Sequence, residues 1–295
     1  LEKTLLDYDK AMIEAINKKA ELAGELAYQQ GLMNYNSSIK EYYSDILDRI
    51  FNLYLQEINV NVANLQLKSA QITYDNNSEL FNRGLISSDD LKSSELTVKD
   101  AENNLKNANI NLETAQDNLS KIYEGNIKEI TINIPALEGF FVSDDEYLNN
   151  SYALKLSKLN VELSEYDLNN LPSNASNYTV KITQATHQKN LLTLEDTNEK
   201  LKEAHKLTKN SLEILYRTLQ NLKERVDLSQ NTFNDTKNRF DKGLVSELEL
   251  ISSNIEYLNA QKNYYDSLKN YLETYINYVV DTGRSLKEVG LWEKN

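Results

Sequence analysis

Residues 81–101 and residues 240–260 of this chain are two copies of one pattern, set 159 residues apart. Eight of the 21 aligned positions are identical: Phe81/Phe240, Gly84/Gly243, Leu85/Leu244, Ser87/Ser246, Leu91/Leu250, Ser93/Ser252, Ser94/Ser253 and Ala101/Ala260. Arg83/Lys242, Ile86/Val245 and Asp90/Glu249 are chemical equivalents. Any fold assigned to the first half must therefore suit the second.

Each copy describes a tight turn between two helices. Gly84 and Gly243 can take the left-handed conformation that ends a helix without a Cβ penalty. Three residues later Ser87 and Ser246 can cap the next helix, with Asp90 and Glu249 placed to reach back as in a capping box, a role that glutamate fits better than aspartate. Ile86 with Leu91, and Val245 with Leu250, have the spacing of a hydrophobic staple, and each serine cap is worth about 0.5–2 kcal/mol.

On both sides of the turns apolar residues recur every three and four positions, the heptad seam of packed helices. After the first turn the seam runs through Leu91, Ser94, Val98, Ala101, Leu105, Ala108, Leu112, Ala115, Leu119 and Ile122. After the second it runs through Tyr257, Ala260, Tyr264, Ser267, Tyr271, Thr274 and Tyr278. Phe51, Leu55, Ile58, Val62, Leu65, Ser69 and Ile72 precede the first turn, and Leu212, Leu215, Leu219, Leu222, Val226, Ser229, Phe233, Thr236 and Phe240 the second. Second stripes (Leu53, Val60, Leu67, Tyr74, Phe81; Leu258, Tyr265, Leu272, Val279) give these helices two packing faces. A helix over Ser38–Phe81 would be about 44 residues and roughly 66 Å long at 1.5 Å per residue.

With 8 glycines and 2 prolines among 295 residues, long helices run without a breaker. The expected fold class is all-α: an elongated bundle of long antiparallel heptad-packed helices from two tandem hairpin repeats. The first repeat occupies residues 1–124, with its turn near 84–87. A connecting segment, 125–145, carries a short strand over Glu129–Ile134, where Ile130, Ile132 and Ile134 alternate with polar residues ahead of Pro135. The second repeat occupies 146–295, with its turn near 243–246. Breaks at Gly31–Ser38 and Asn170–Tyr178 read as helix ends.

The chain has no cysteine and two histidines, so disulfides, thiolate chemistry and Cys/His zinc sites are not expected. A net charge of −13 without a compensating basic cluster argues against nucleic acid as a partner. No stretch approaches the about 18–20 apolar residues that cross a bilayer, and the first residues lack a signal-peptide core. No phosphate loop, nucleophile elbow or metal-ligand spacing occurs, so neither an enzyme nor a cofactor is expected. His187 and His205 read as surface residues, and the tyrosine series reads as packing rather than as an aromatic path for substrates.

In Phe81-Asn82-Arg83-Gly84-Leu85-Ile86-Ser87 and Phe240-Asp241-Lys242-Gly243-Leu244-Val245-Ser246, each followed by a long heptad helix, the chain resembles the TolC-type outer-membrane efflux proteins. The resemblance implies two hairpin repeats per protomer, a homotrimeric twelve-helix tunnel on the extracytoplasmic side of the cell envelope, and hairpin tips that meet the membrane-fusion (adaptor) protein of an efflux pump or type I secretion system. It makes Gly84, Leu85, Ile86, Ser87, Gly243, Leu244, Val245 and Ser246 the adaptor-contacting tips. Leu85 and Leu244 then either expose apolar surface at the apex of each turn or fold back over the staple. Asp90 and Glu249 match tunnel-mouth positions, a role compatible with capping.

In that family each repeat also carries two strands of an outer-membrane β-barrel. Here Gly31–Ser38 and Leu171–Lys181 are too short for such pairs, which need about 9–11 residues per strand, so no barrel and no direct membrane span are expected in these residues. Ile86 and Val245 stand where some relatives place a basic residue, which speaks against a salt-bridged gate. A structural coiled-coil spacer or envelope tether without a conduit would use the same helices; a duct would close as three copies, a spacer would not.

Overall fold

The computed structural model describes residues 18–123, 130–132, 134–284 and 292–294. Its elements are α1 (Lys18–Asn82), α2 (Ser88–Ser120), β1 (Ile130–Ile132), α3 (Asp144–Asn150), α4 (Tyr152–Asn169), α5 (Asn177–Asp241), α6 (Glu247–Asp281) and β2 (Trp292–Lys294). The described residues are thus helical apart from short connections and two three-residue strands. The duplication is visible in the boundaries: α1 and α5 end at Asn82 and Asp241, and α2 and α6 begin at Ser88 and Glu247, each pair at the sequence offset.

Of the two expected breaks, one is corrected. Helix α1 runs for 65 residues straight through Gly31–Ser38, so it is longer than the 44 or so expected. A helical glycine costs about 1 kcal/mol relative to alanine, but Gly31 is buried, and packing around a small residue outweighs so local a penalty. The other expected break, at Asn170–Tyr178, is present: α4 ends at Asn169 and α5 begins at Asn177, with Ser176 Oγ accepting the Thr179 N–H at 3.0 Å as a cap. The strand in the connecting segment is present as β1, and it pairs with β2 near the C-terminus. Glu129 and Asn133 of the expected strand, and the expected boundary at 124–125, lie outside the described residues.

The chain divides into two compact units. The first, called here the tip unit, comprises the described residues of Asp45–Thr131, Ile214–Glu273 and Lys294–Asn295. In it α2 folds back on α1, with Ala70 packed against Val98 and Ala101 and with Arg49 Nη1 donating to the Asn118 carbonyl at 2.7 Å. The other side of α1 meets α6 through stacked Tyr54 and Tyr265, 5.4 Å apart. Helix α5 folds back on α6 through Phe233 stacked on Tyr257 and Tyr216 against Tyr271. The helices thus follow the order α2, α1, α6, α5. Phe51 also meets Tyr265, and Leu47, Leu268 and Leu272 are buried on the same two helices, each buried side chain contributing about 1.5–3 kcal/mol. Tyrosines of the α6 seam pack as expected.

The second unit, called the linker unit, comprises the described residues of Leu1–Ser44, Ile132–Glu213 and Thr274–Glu293. Here α4 runs antiparallel to α5, with Ser157 bonded to Thr197 and Ser164 Oγ 3.1 Å from His187 Nδ1. Residues 134–150 pack on the end of α6, where Phe140 stacks on Tyr275 at 4.4 Å.

Candidate docking site at the two helix turns

Both expected turns are present and are built alike. Gly84 and Gly243 have φ of +73° and +71°, the left-handed region that glycine enters at little cost. At the first turn the Leu85 N–H donates to Leu80 O at 2.9 Å and the Gly84 N–H to Phe81 O at 2.8 Å. At the second, Leu244 donates to Arg239 O at 2.9 Å and Gly243 to Phe240 O at 2.8 Å. This paired pattern is the Schellman motif, which satisfies carbonyls left open at a helix end.

The following helix is capped in each copy, though not identically. Asp90 N–H donates to Ser87 Oγ at 3.1 Å, while Asp90 Oδ2 accepts from Ser87 N at 3.1 Å and from Ser87 Oγ at 2.7 Å, closing a full capping box. Glu249 N–H donates to Ser246 Oγ at 3.2 Å, but its carboxylate turns to Arg239, 3.7 Å away. The expectation that glutamate would serve the box better is corrected: aspartate closes it, and the longer side chain reaches across the hairpin to a cation. The hydrogen bonds from Ser87 hold the Asp90 carboxyl below its ordinary value.

With Schellman turn and cap in place, the two residues between them are fixed in opposite environments. Ile86 and Val245 are partly shielded, as are Leu91 and Leu250, consistent with the staple. Leu85 and Leu244 are 66% and 67% exposed, so they do not fold back over it. Each turn therefore presents one leucine to solvent, flanked by Arg83 or Lys242 before the glycine and by Asp89, Asp90 or Glu247, Glu249 after it. Arg83 is paired with Glu79 at 3.4 Å. Exposed pairs of this kind contribute little to stability and leave the charges available to a partner.

Sequence reading missed a second apolar surface. Leu96 and Ile110 on α2, and Ile214 and Leu228 on α5, are exposed on the two outer helices of the tip unit. Both pairs are spaced by two heptads, off the buried seams, and that spacing was the available signal. It also missed His205, which is corrected from a surface residue to a fully buried one. His205 lies seven residues before Leu212 and so continues the α5 seam; extending that seam by one heptad would have found it.

No helix among the described residues is long and apolar enough to cross a membrane, and no group of residues there could hold a metal ion. No protein-family model matches the chain, and no curated protein matches it in sequence. Solved structures do share its fold. The chain is similar to the CmeC outer membrane channel of Campylobacter jejuni over 91% of its length and 68% of that chain, with 12% identity and a TM-score of 0.54. It is similar to the channel-forming protein CusC over 95% of its length and 84% of that chain, with 13% identity and a TM-score of 0.53. To the outer membrane protein VceC of Vibrio cholerae it is similar over 90% of its length and 76% of that chain, with 10% identity and a TM-score of 0.53. The fold implied by the tip motifs, that of the TolC-type outer-membrane channels, is the fold this chain has.

Proposed function

We propose that this chain is a helical duct component of a tripartite efflux or type I secretion system in the cell envelope, a non-enzymatic protein that docks its two hairpin turns on a membrane-fusion adaptor. The observation that carries this reading is the exposed leucine repeated at the apex of both turns, Leu85 and Leu244, each held out by a Schellman motif and a serine cap. A single exposed leucine on a monomer is ordinary; the same leucine held rigidly at two matching turns is suited to recognition, because little conformational freedom is lost on binding. Gly84, Ile86 and Ser87, with Gly243, Val245 and Ser246, shape the two docking turns. Asp90 and Glu249 would contribute carboxylates near the duct mouth.

The exposed stripes on α2 and α5 support assembly with further copies of the chain. Edge α2 of one copy and edge α5 of the next would cover Leu96, Ile110, Ile214 and Leu228, and head-to-tail repetition closes a ring. Three copies would place twelve helices around the duct.

The docking reading is tested by binding of the purified adaptor to the chain carrying Leu85→Asp and Leu244→Asp together. Binding should be lost while helicity by circular dichroism is retained. Undiminished binding would remove the turns from the interface.

A further inference from the structure

The His205 ring in the linker unit is wholly shielded from solvent. It stacks on Tyr147 with centroids 4.3 Å apart and lies nearly parallel to Tyr278 at 5.8 Å. Both ring nitrogens have partners: Nδ1 lies 2.7 Å from Asp144 Oδ1, and Nε2 lies 3.1 Å from the Tyr278 hydroxyl. That hydroxyl also accepts the Val142 N–H at 3.0 Å. A carboxylate only accepts, so Nδ1 carries the ring proton; Nε2 is then the acceptor for the hydroxyl hydrogen. The relay runs from Val142 N–H through Tyr278 O–H and His205 to Asp144, and every proton in it has a single use.

We propose that Asp144, His205 and Tyr278 form an acid-releasable clasp, which fastens residues 140–150 to α5 and α6 when the imidazole is neutral and lets them go when it is protonated. A second ring proton must sit on Nε2, aimed at a hydroxyl that already accepts from Val142. The hydroxyl hydrogen then loses its acceptor in a site closed to water, so one link of the relay has to break. The charges that act on His205 are Asp144 of α3 and Lys209 on α5 itself, while Asp281 acts on Tyr147, and Glu146, Asp144 and Arg284 act on Tyr278. Burial pushes His205 down from its ordinary value; the Asp144 hydrogen bond and charge oppose this, and Lys209 adds to it. Contacts without a titrating histidine, such as Asn150 Nδ2 to Thr282 O at 2.8 Å and Arg284 Nη1 to Phe140 O at 2.6 Å, keep the segment attached at its ends. Acid therefore opens the middle of the segment and leaves the unit folded. The clasp uses none of the turn residues and stands independently of the docking reading.

The sign follows from linkage. The folded value lies below the free histidine value of 6.5, so the open form binds the extra proton first, and stability present above pH 6.5 is lost as pH falls through the folded value. The test uses the whole chain, with its two histidines followed by NMR and amide exchange read at Val142. His205 should titrate below 6.5. Val142 protection, corrected for the intrinsic rate, should fall about tenfold per pH unit between 6.5 and the His205 midpoint, the slope of one linked proton. His205→Phe, which keeps a ring beside Tyr147, should make that protection insensitive to pH. A midpoint at or above 6.5, flat protection in the parent chain between pH 7 and 5, or an unchanged slope in His205→Phe would each overturn the clasp.

Discussion

Lys68 Nζ lies 2.5 Å from Glu247 Oε1, which sets the first turn of α6 beside α1 at a point 16 residues before Gly84. Lys262 Nζ to Asn59 Oδ1 at 3.2 Å, the Tyr54/Tyr265 stack and the Lys269–Asp48 ion pair continue the same antiparallel register. Both turns therefore face one end of the tip unit. Carried back along α6, these four contacts place Gly243 level with residues 72–78, so the first turn projects further by about six to twelve residues, or roughly 9–18 Å at 1.5 Å per residue. A partner engaging both turns meets Leu85 before Leu244.

The absence of cysteine makes this register directly testable. Lys68→Cys with Glu247→Cys, which replace two long side chains that meet between the helices, should be joined by a short bifunctional thiol cross-linker. Leu80→Cys with Glu247→Cys, the pair that level turns would bring together, should stay unlinked. The reverse pattern, read by mass spectrometry, would place the two turns side by side.

No neighbouring atom lies within 4 Å of a Cβ built on Gly84 or Gly243, so substitution there meets backbone strain alone. Gly84→Val and Gly243→Val should each cost about 1–2 kcal/mol, the penalty of an L-residue in the left-handed region. Asparagine at either position should recover part of it. Urea denaturation checks both, and an unchanged midpoint would argue against the left-handed turn.

The two caps should respond differently to acid. Asp90 is held below its ordinary carboxyl value of 3.8 by Ser87, so its contribution is complete above about pH 4 and is lost as pH falls through the lower folded value. The difference in melting temperature between the parent chain and Asp90→Asn should shrink over that interval. Ser87→Ala should cost about 0.5–2 kcal/mol at neutral pH. A pH-independent difference between the parent and Asp90→Asn would mean that the carboxylate does not hold the box.

Leu212 and Ile214, two positions apart on α5, separate folding from association. Leu212 is fully buried and Ile214 is 63% exposed. Leu212→Ala should destabilise by about 2–5 kcal/mol through the cavity it leaves. Ile214→Lys should leave unfolding within about 0.5 kcal/mol of the parent and instead weaken self-association. Equal effects on stability would contradict the seam assigned to α5.

What could be read from residue order was whatever is decided within one turn of chain. Gly84, Ser87 and Asp90, and their counterparts Gly243, Ser246 and Glu249, announce helix end and helix start because left-handed backbone and capping are local physics. The long helices followed from heptads, and their two packing faces from the second stripes. Gly31 misled because a weak local preference was overruled by burial. His205 was illegible as a site because its partners lie 61 and 73 residues away, although its seam position foretold burial. The pairing of β1 with Trp292–Lys294 had no local signal at all. Nor did the exchange of Glu249 from the cap to Arg239, which depends on how closely α5 and α6 approach below the turn.

The duct reading requires that copies of the chain cover each other's outer helices. Mass by light scattering across a concentration series tests this, since the chain alone is 33.9 kDa. Three times that mass, reached as concentration rises and reduced by Ile214→Lys, is the expected result. A mass that stays at one or two chains at every concentration would point instead to a spacer or tether.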